Sequence, residues 1–205
     1  MPPRRATTTS WEKIRRAAGA EDALSTGAAR AYREALTRLW LLDPMPAWLP
    51  TTSAIRRNTG ASRHHLADPG LAARLLGADV DALLTNQPLG PPIPRDGTLL
   101  GNLFESLVAL SVRVYAQRAD AATFHFRTAA GDREADLVVE RGDGRFVAIE
   151  VTLATTPHDR DYRHLGWLKD TMGDRTLDPI MITTGREAYR RPDGAGVVPA
   201  ALLGP

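Results

Sequence analysis

The rear half of this chain is predicted to be an α/β domain with the element order α-β-β-β-α-β, behind a smaller basic helical region. Three observations carry that expectation. From Thr98 onward, a long stretch of helical periodicity gives way to alternating segments separated by turn residues, then to a second helix and a last apolar strand. Residues 86–97 gather Pro88, Gly90, Pro91, Pro92, Pro94 and Gly97, which makes them a loop and the best internal boundary. The charge is also divided. Residues 1–63 carry 11 basic and 5 acidic groups (+6), whereas residues 64–205 carry 15 basic and 19 acidic groups (−4). Three regions follow: a basic helical part at 1–63, connecting helices and a Pro-rich loop at 64–97, and the α/β domain at 98–205.

Each element has a local reason. Thr9-x-x-Glu12 reads as a capping box opening a short helix through Ala18, with a turn at Gly19. Thr26 can cap a second helix, with Tyr32, Leu36, Leu39 and Trp40 on one apolar face. Asp43-Pro44 stops that run. Arg15, Arg16, Arg30, Arg33 and Arg38 lie on or beside the two helices, a basic face compatible with part of a helix-turn-helix or with a small solvated helical pair. His65-Leu66 reads as a short strand. Asp68-Pro69 begins a helix that ends at Gly77, and Asp79 caps another that runs to Leu84. Thr98 caps the long helix, whose apolar positions are Leu99, Leu103, Val108 (or Leu107), Leu110 and Val114. Thr123–Arg127, Glu134–Glu140 and Arg145–Leu153 are strands, the last apolar enough to be central, with turns at Gly131-Asp132 and Asp143-Gly144. Asp159 or Asp161 opens a helix carrying Leu165, Leu168 and Met172 and ending at Gly173, before a strand at Pro179–Thr183.

Composition excludes several chemistries. The chain has 205 residues, 43% of them hydrophobic, enough for a core. It has no cysteine, so disulfides, thiolate zinc sites and cysteine nucleophiles are excluded. No uninterrupted apolar run approaches the roughly 18–20 residues of a bilayer span. The first ten residues do not read as a secretory signal, so a cytoplasmic location is expected. Of 26 basic residues, 24 are Arg and two are Lys (Lys13 and Lys169); Arg does not titrate in this range, so the slight excess of +2 holds the isoelectric point near 9.3, which is weak evidence for nucleic-acid binding. Trp11, Trp40, Trp48 and Trp167 have apolar neighbours and read as packing residues. His64-His65 reads as a surface pair rather than a metal pair, and no Gly-x-Ser-x-Gly elbow occurs.

Three acids stand at telling places. Glu105 is on the long helix, Asp136 on the second strand and Glu150 on the third. Asp136 and Glu150 can meet across one hairpin, and carboxylates converging at a sheet edge suit Mg²⁺. By alternation both point away from the face of Leu137 and Val151, toward a face that can also simply be solvent. Glu134, Glu140 and Asp132 read as solvated.

Gly101-Asn-Leu-Phe-Glu105, Arg133-Glu-Ala-Asp-Leu137 and Ile149-Glu-Val-Thr152 resemble the C-terminal domain of prokaryotic AAA-type ATPases, a domain of unknown function in the restriction-endonuclease-like, or PD-(D/E)xK, superfamily. Trp40-Leu-Leu-Asp-Pro-Met-Pro-Ala-Trp48, Asp68-Pro-Gly-Leu-Ala-Ala73, Asp161-Tyr-Arg-His-Leu-Gly-Trp-Leu168 and the tail from Gly185 to Pro199 are similar to blocks of the same family. The resemblance implies a restriction-endonuclease-like core and a winged-helix-like region before Trp48. It implies Glu105, Asp136 and Glu150 as metal ligands and catalytic acids.

Two departures stand against this pattern. Thr152 occupies a position where the family usually has Lys. A hydroxyl donates a hydrogen bond but brings no charge. Lys169 and His164, on the following helix, are the candidate substitutes, though solvated helix-face roles suit both. No Gly-x-x-x-x-Gly-Lys-Ser/Thr occurs, so the phosphate loop of the ATPase half is missing. The expected function is a non-catalytic or weakly active nuclease-like module that binds DNA, RNA or a partner protein such as an ATPase. Its nucleic-acid contacts would come from Arg15, Arg16, Arg30 and Arg33. The alternative is a Mg²⁺-dependent nuclease that hydrolyses phosphodiester bonds.

Overall fold

The computed structural model describes residues 25–50, 62–85, 98–128 and 131–204. The predicted helix at Thr9–Ala18, the turn at Gly19, Trp11, Arg15, Arg16 and the loop 86–97 lie outside the described residues. The rest divides into two compact units. One holds the residues up to Pro44 and from Ser62 to Ser106; the other holds Met45–Pro50 and everything from Leu107 onward.

In the first unit, helix α1 (Thr26–Arg38) is capped by Ser25, one residue before the position expected; its hydroxyl accepts the Ala28 N–H at 3.2 Å. The helix ends at Arg38, and its C-terminus closes as a Schellman motif. Leu41 N–H reaches Leu36 O and Trp40 N–H reaches Thr37 O. The left-handed position of that motif (φ 58°) is filled by Trp40, where glycine is usual. The expected apolar face is not buried. Leu36 is 37% exposed, and Tyr32, Leu39 and Trp40 are more so. Asp43-Pro44 does not end an element; it lies inside strand β1 (Leu42–Met45), which forms a two-stranded sheet with β2 (Arg63–Leu66). Proline is tolerated in such an edge setting. Asp68 caps α2 (Pro69–Leu75) through the Gly70 and Leu71 N–H groups, and Asp79 caps α3 (Val80–Thr85) through Ala82 N–H, as their spacing predicts.

Helix α4 (Thr98–Arg118) begins in the first unit and continues into the second. Its buried positions are Glu105, Val108, Ala109, Val112 and Ala116, whereas the expected core residues Leu110 and Val114 are exposed. Alanine supplies half the apolar stripe, and a pattern of large side chains does not reveal it. Leu99–Arg118 is also long and apolar enough, by length and composition only, to cross a membrane. The expectation of no uninterrupted apolar run of that length stands beside this, because Glu105 and Arg113 interrupt the helix.

The second unit is built on a six-stranded mixed sheet: β3 (Ala121–Arg127), β4 (Glu134–Arg141), β5 (Phe146–Val151), β6 (Thr176–Thr183), β8 (Gly196–Pro199) and β7 (Tyr189–Arg190), in that spatial order. β3, β4 and β5 form an antiparallel meander; β5, β6 and β8 run parallel; β7 is antiparallel to β8. The hairpin between β4 and β5 turns at Asp143-Gly144, where Gly144 adopts φ 78°. The expected α-β-β-β-α-β order is present, but β6 starts three residues early and β7 and β8 are additional. Pro179 is accommodated in β6 because pairing to β8 starts only at Ile180. Helix α5 (Asp159–Met172) crosses from β5 to β6 and packs on β4, β5 and β6. Its Leu165, Leu168 and Met172 join Phe126, Val138, Phe146, Ala148, Met181 and Val197 in one core, with Trp48 inserted against Phe126 and Phe146. Trp167 stacks on Phe126, whereas Trp40 is 82% exposed and is not a packing residue.

Candidate functional site

β4 and β5 pair with Leu137 opposite Ile149 and Val138 opposite Ala148. Regular pairing ends at Leu137: β4 carries one extra residue between Ala135 and Val138, a bulge against Phe124–Phe126 of β3, so Asp136 lies just outside the ladder. Asp136 and Glu150 fall at the same end of the hairpin, counted from the Asp143-Gly144 turn, and Asp136 accepts the N–H of Val151, the residue after Glu150. Across the parallel pair β5–β6, Glu150 faces Met181, which is fully buried.

The surroundings differ from the expected open face. Glu150 alternates with Phe146 and Ala148 onto the core beneath α5, and Ala135 and Val138, on either side of the bulge that holds Asp136, both join that core. Only 4% of Asp136 and 1% of Glu150 is exposed. Leu137, Ile149 and Ile182 on the opposite face are buried as well, so the strands are covered on both sides. Asp136 accepts the Val151 N–H through Oδ2 at 2.9 Å, which ties the carboxylate to the end of the neighbouring strand. Glu134 is also buried rather than solvated, and its N–H donates to His164 Nδ1 at 3.3 Å. Glu140 is half-buried beside Arg175, and Asp132 is exposed, its carboxylate accepting from Thr128.

Thr152 follows β5, two residues after Glu150. Its N–H donates to Ile182 O, extending the ladder to β6, and its hydroxyl accepts the Ala154 N–H at 3.2 Å. The rim beyond is stitched by Thr184 donating to Leu153 O at 2.7 Å, and by Gly185, where a Cβ would stand 2.7 Å from Thr155 O. Only glycine fits that approach.

The candidate substitutes for a Lys at 152 are engaged elsewhere. α5 runs from the C-terminal end of β5 to the N-terminal end of β6. Lys169 is in its last turn, with Nζ near Gly194 in the turn before β8. Glu150 is at the opposite end of the strands. His164 accepts from Glu134 N–H and has Arg163 at its other nitrogen, so it is a packed residue rather than a solvated one.

Glu105, the helical acid, lies in the first unit, where it forms a buried ion pair with Arg63 of β2. Next to it, His65 Nδ1 lies 3.1 Å from Ser106 Oγ. Nothing in the sequence singles out Arg63; its position two residues before His65 on a strand is the one signal it carries. Among the described residues, no three His, Asp or Glu side chains are gathered as a metal-holding group. The donor set that fits a hard cation is the Asp136–Glu150 pair, two oxygen ligands of the kind Mg²⁺ takes while keeping several waters. Of the predicted nucleic-acid contacts within the described residues, Arg30 is exposed and pairs with Glu34 at 2.9 Å, and Arg33 is half-buried on α1.

No curated protein and no solved structure matches the chain. Residues 100–203, from the first turns of α4 through β8, match a domain of unknown function, DUF4143. That match covers the entire six-stranded sheet, α5 and all but the first two residues of α4, and so the chain belongs to the DUF4143 family.

Proposed function

We propose that this chain is a nuclease-like module of the restriction-endonuclease-like type, associated with AAA-type ATPases, that is non-catalytic or weakly active and binds nucleic acid or a partner protein. The observation that carries the reading is the environment of Thr152. The position that would need a cation beside the acid pair holds a hydroxyl already engaged by Ala154 N–H. The Lys169 ammonium stands by Gly194. Mg²⁺ bound by Asp136 and Glu150 would polarise a phosphodiester and lower the pKa of an attacking water. The chain's own part is to hold the two carboxylates on rigid strands. The charge that developing phosphate oxygens require is missing at 152, and losing one such group costs other enzymes roughly 10²–10³ in rate. The ion pair that engages Glu105 with Arg63 supports the same reading.

A second reading, a Mg²⁺-dependent nuclease, is favoured by the acid pair itself. Two buried carboxyl groups at one end of a hairpin are costly to ionise without a counter-charge, and a divalent cation would supply it.

Cleavage of single- and double-stranded DNA and RNA with Mg²⁺ or Mn²⁺ separates the two. Little or no turnover by the natural chain, with at least about tenfold more in Thr152→Lys, supports the module. Ready turnover lost in both Asp136→Asn and Glu150→Gln supports the nuclease. Turnover that survives both substitutions removes the acid pair from either account.

A further inference from the structure

Two hydrogen-bond donors confront each other on α5. The Glu134 N–H donates to His164 Nδ1 at 3.3 Å, so Nδ1 is the unprotonated nitrogen of that ring and its proton is on Nε2. Nε2 lies 3.1 Å from Arg163 Nη2, and a guanidinium can only donate as well. The two cannot bond to one another. An acceptor oxygen set against both would satisfy them together.

A second guanidinium is held close by. Trp167, three residues after His164 and so on the same side of the helix, stacks on the core residue Phe126 with centroids 6.2 Å apart. Arg133, just before β4, lies over the Trp167 ring at 5.5 Å from its centroid. Arg141, Arg145, Arg175, Arg190 and Arg191 of this unit each pair with Asp or Glu. Among the described residues, Arg133 and Arg163 are in no ion pair. Arg133 and His164 also share a neighbour. The Asp132 carboxyl is held below its ordinary range, foremost by the Thr128 hydroxyl and also by Arg133 and His164. It bonds to Thr128 at 2.6 Å and leaves both guanidinium groups without a carboxylate. Glu134, whose N–H fixes the His164 ring, is two residues before Asp136, at the acid-pair end of the hairpin.

We infer that Arg133, Arg163 and His164 form a subsite for one backbone phosphate of a nucleic acid. Phosphate oxygens accept from a guanidinium fork in pairs and from a ring N–H singly. The inference rests on the nucleic-acid reading proposed above and assigns to it residues of the second unit.

The test follows the full chain with fluorescein-labelled duplex DNA by anisotropy across a salt series, and titrates inorganic phosphate while the His164 imidazole is watched by NMR. Arg163→Gln and Arg133→Gln should each weaken DNA binding about tenfold, the scale of a lost charge-assisted hydrogen bond. Arg163 is exposed, so Arg163→Gln should melt with the natural chain. If one phosphate is shared, the double variant makes the log–log salt slope shallower by about 0.9; a change of about 1.8 means two phosphates and overturns the shared subsite. Arg118→Gln removes the same charge at the end of α4, beside the opposite end of β3, and should leave the slope unchanged. Asp132→Asn should tighten binding by withdrawing a like charge from the phosphate. Inorganic phosphate should shift the His164 Nε2–H signal in the natural chain and not in Arg163→Gln. DNA binding indifferent to both arginine variants overturns the subsite and leaves the nucleic-acid reading standing. A chain that binds no DNA while His164 responds to phosphate overturns the nucleic-acid ligand and that half of the proposed function. A His164 signal that answers polyglutamate and not phosphate overturns the inference in favour of an acidic protein, and no response to either overturns it outright.

Discussion

Asp136 holds a neighbouring backbone as well as a charge, and the two roles separate under mutation. Its Oδ2 accepts the Val151 N–H where β5 ends. Asp136→Ala leaves that buried donor without its acceptor and should cost about 1–3 kcal/mol. Asp136→Asn keeps an acceptor for that donor, so it should cost less. Urea midpoints of the two variants check this, and equal losses would mean the hydrogen bond does not matter. His64 gives a second prediction at this scale. Burial, and after it the Arg33 cation, depresses its pKa, with a hydrogen bond involving Ser62 opposing. A folded-state pKa below the unfolded one means that the unfolded chain binds the proton more readily. Stability is therefore full above the ordinary imidazole value, near about 6.5, and falls as the pH drops below it. Thermal melts between neutral and mildly acidic pH should show this decline, and His64→Gln should flatten it. The place of the acid pair at one end of the hairpin is legible in the sequence because residues can be counted from the turn, whereas the bulge in β4 at Asp136 is not. Nor is the pair's burial, because the cover comes from α5, which begins nine residues after Glu150.

Among the elements, α5 and α4 make opposite tests of what burial means. Leu165 and Leu168 of α5 are fully buried between the helix and the sheet. Truncating either to Ala should cost about 2–5 kcal/mol, from the apolar burial given up and the cavity left behind. On α4, Leu110→Ala should cost under about 0.5 kcal/mol, because Leu110 lies outside the buried stripe. Chemical denaturation of the three variants checks this, and a large loss at Leu110 would overturn the assignment of the stripe to Val108, Val112 and the alanines. The same contrast explains what local pattern reveals. Asp68, Asp79 and Gly144 act through their immediate neighbours, and their capping and turning roles are readable directly. The α1 face reads as core because amphipathicity tells which side seeks cover without telling what provides it. β7 and β8 are two and four residues long and depend on pairing to β6 and to each other rather than on a pattern of their own. Pro179 makes β6 look shorter than it is, because only the unpaired side of the strand tolerates it.

For the whole chain, the division of charge carries the last prediction. The +6 of residues 1–63 against the −4 of residues 64–205 holds at neutral pH, where Arg, Lys, Asp and Glu are ordinarily all ionised. Nucleic acid would meet such a chain through its basic front, and the acidic remainder would oppose non-specific adhesion elsewhere. Part of that front is already engaged: Arg30 pairs with Glu34 on an exposed helix surface, where salt screens the bond. Neutralising a phosphate releases counterions, so affinity for duplex DNA should fall with rising salt with a log–log slope of about 0.9 per phosphate neutralised. Replacing Arg15, Arg16, Arg30 and Arg33 by Ser in the full chain should weaken binding and make the slope shallower by that amount for each phosphate no longer neutralised. Fluorescence anisotropy across a salt series measures both quantities. A slope unchanged by the four substitutions would place the nucleic-acid interface elsewhere. Binding that is absent at low salt would leave a partner protein as the ligand of this module.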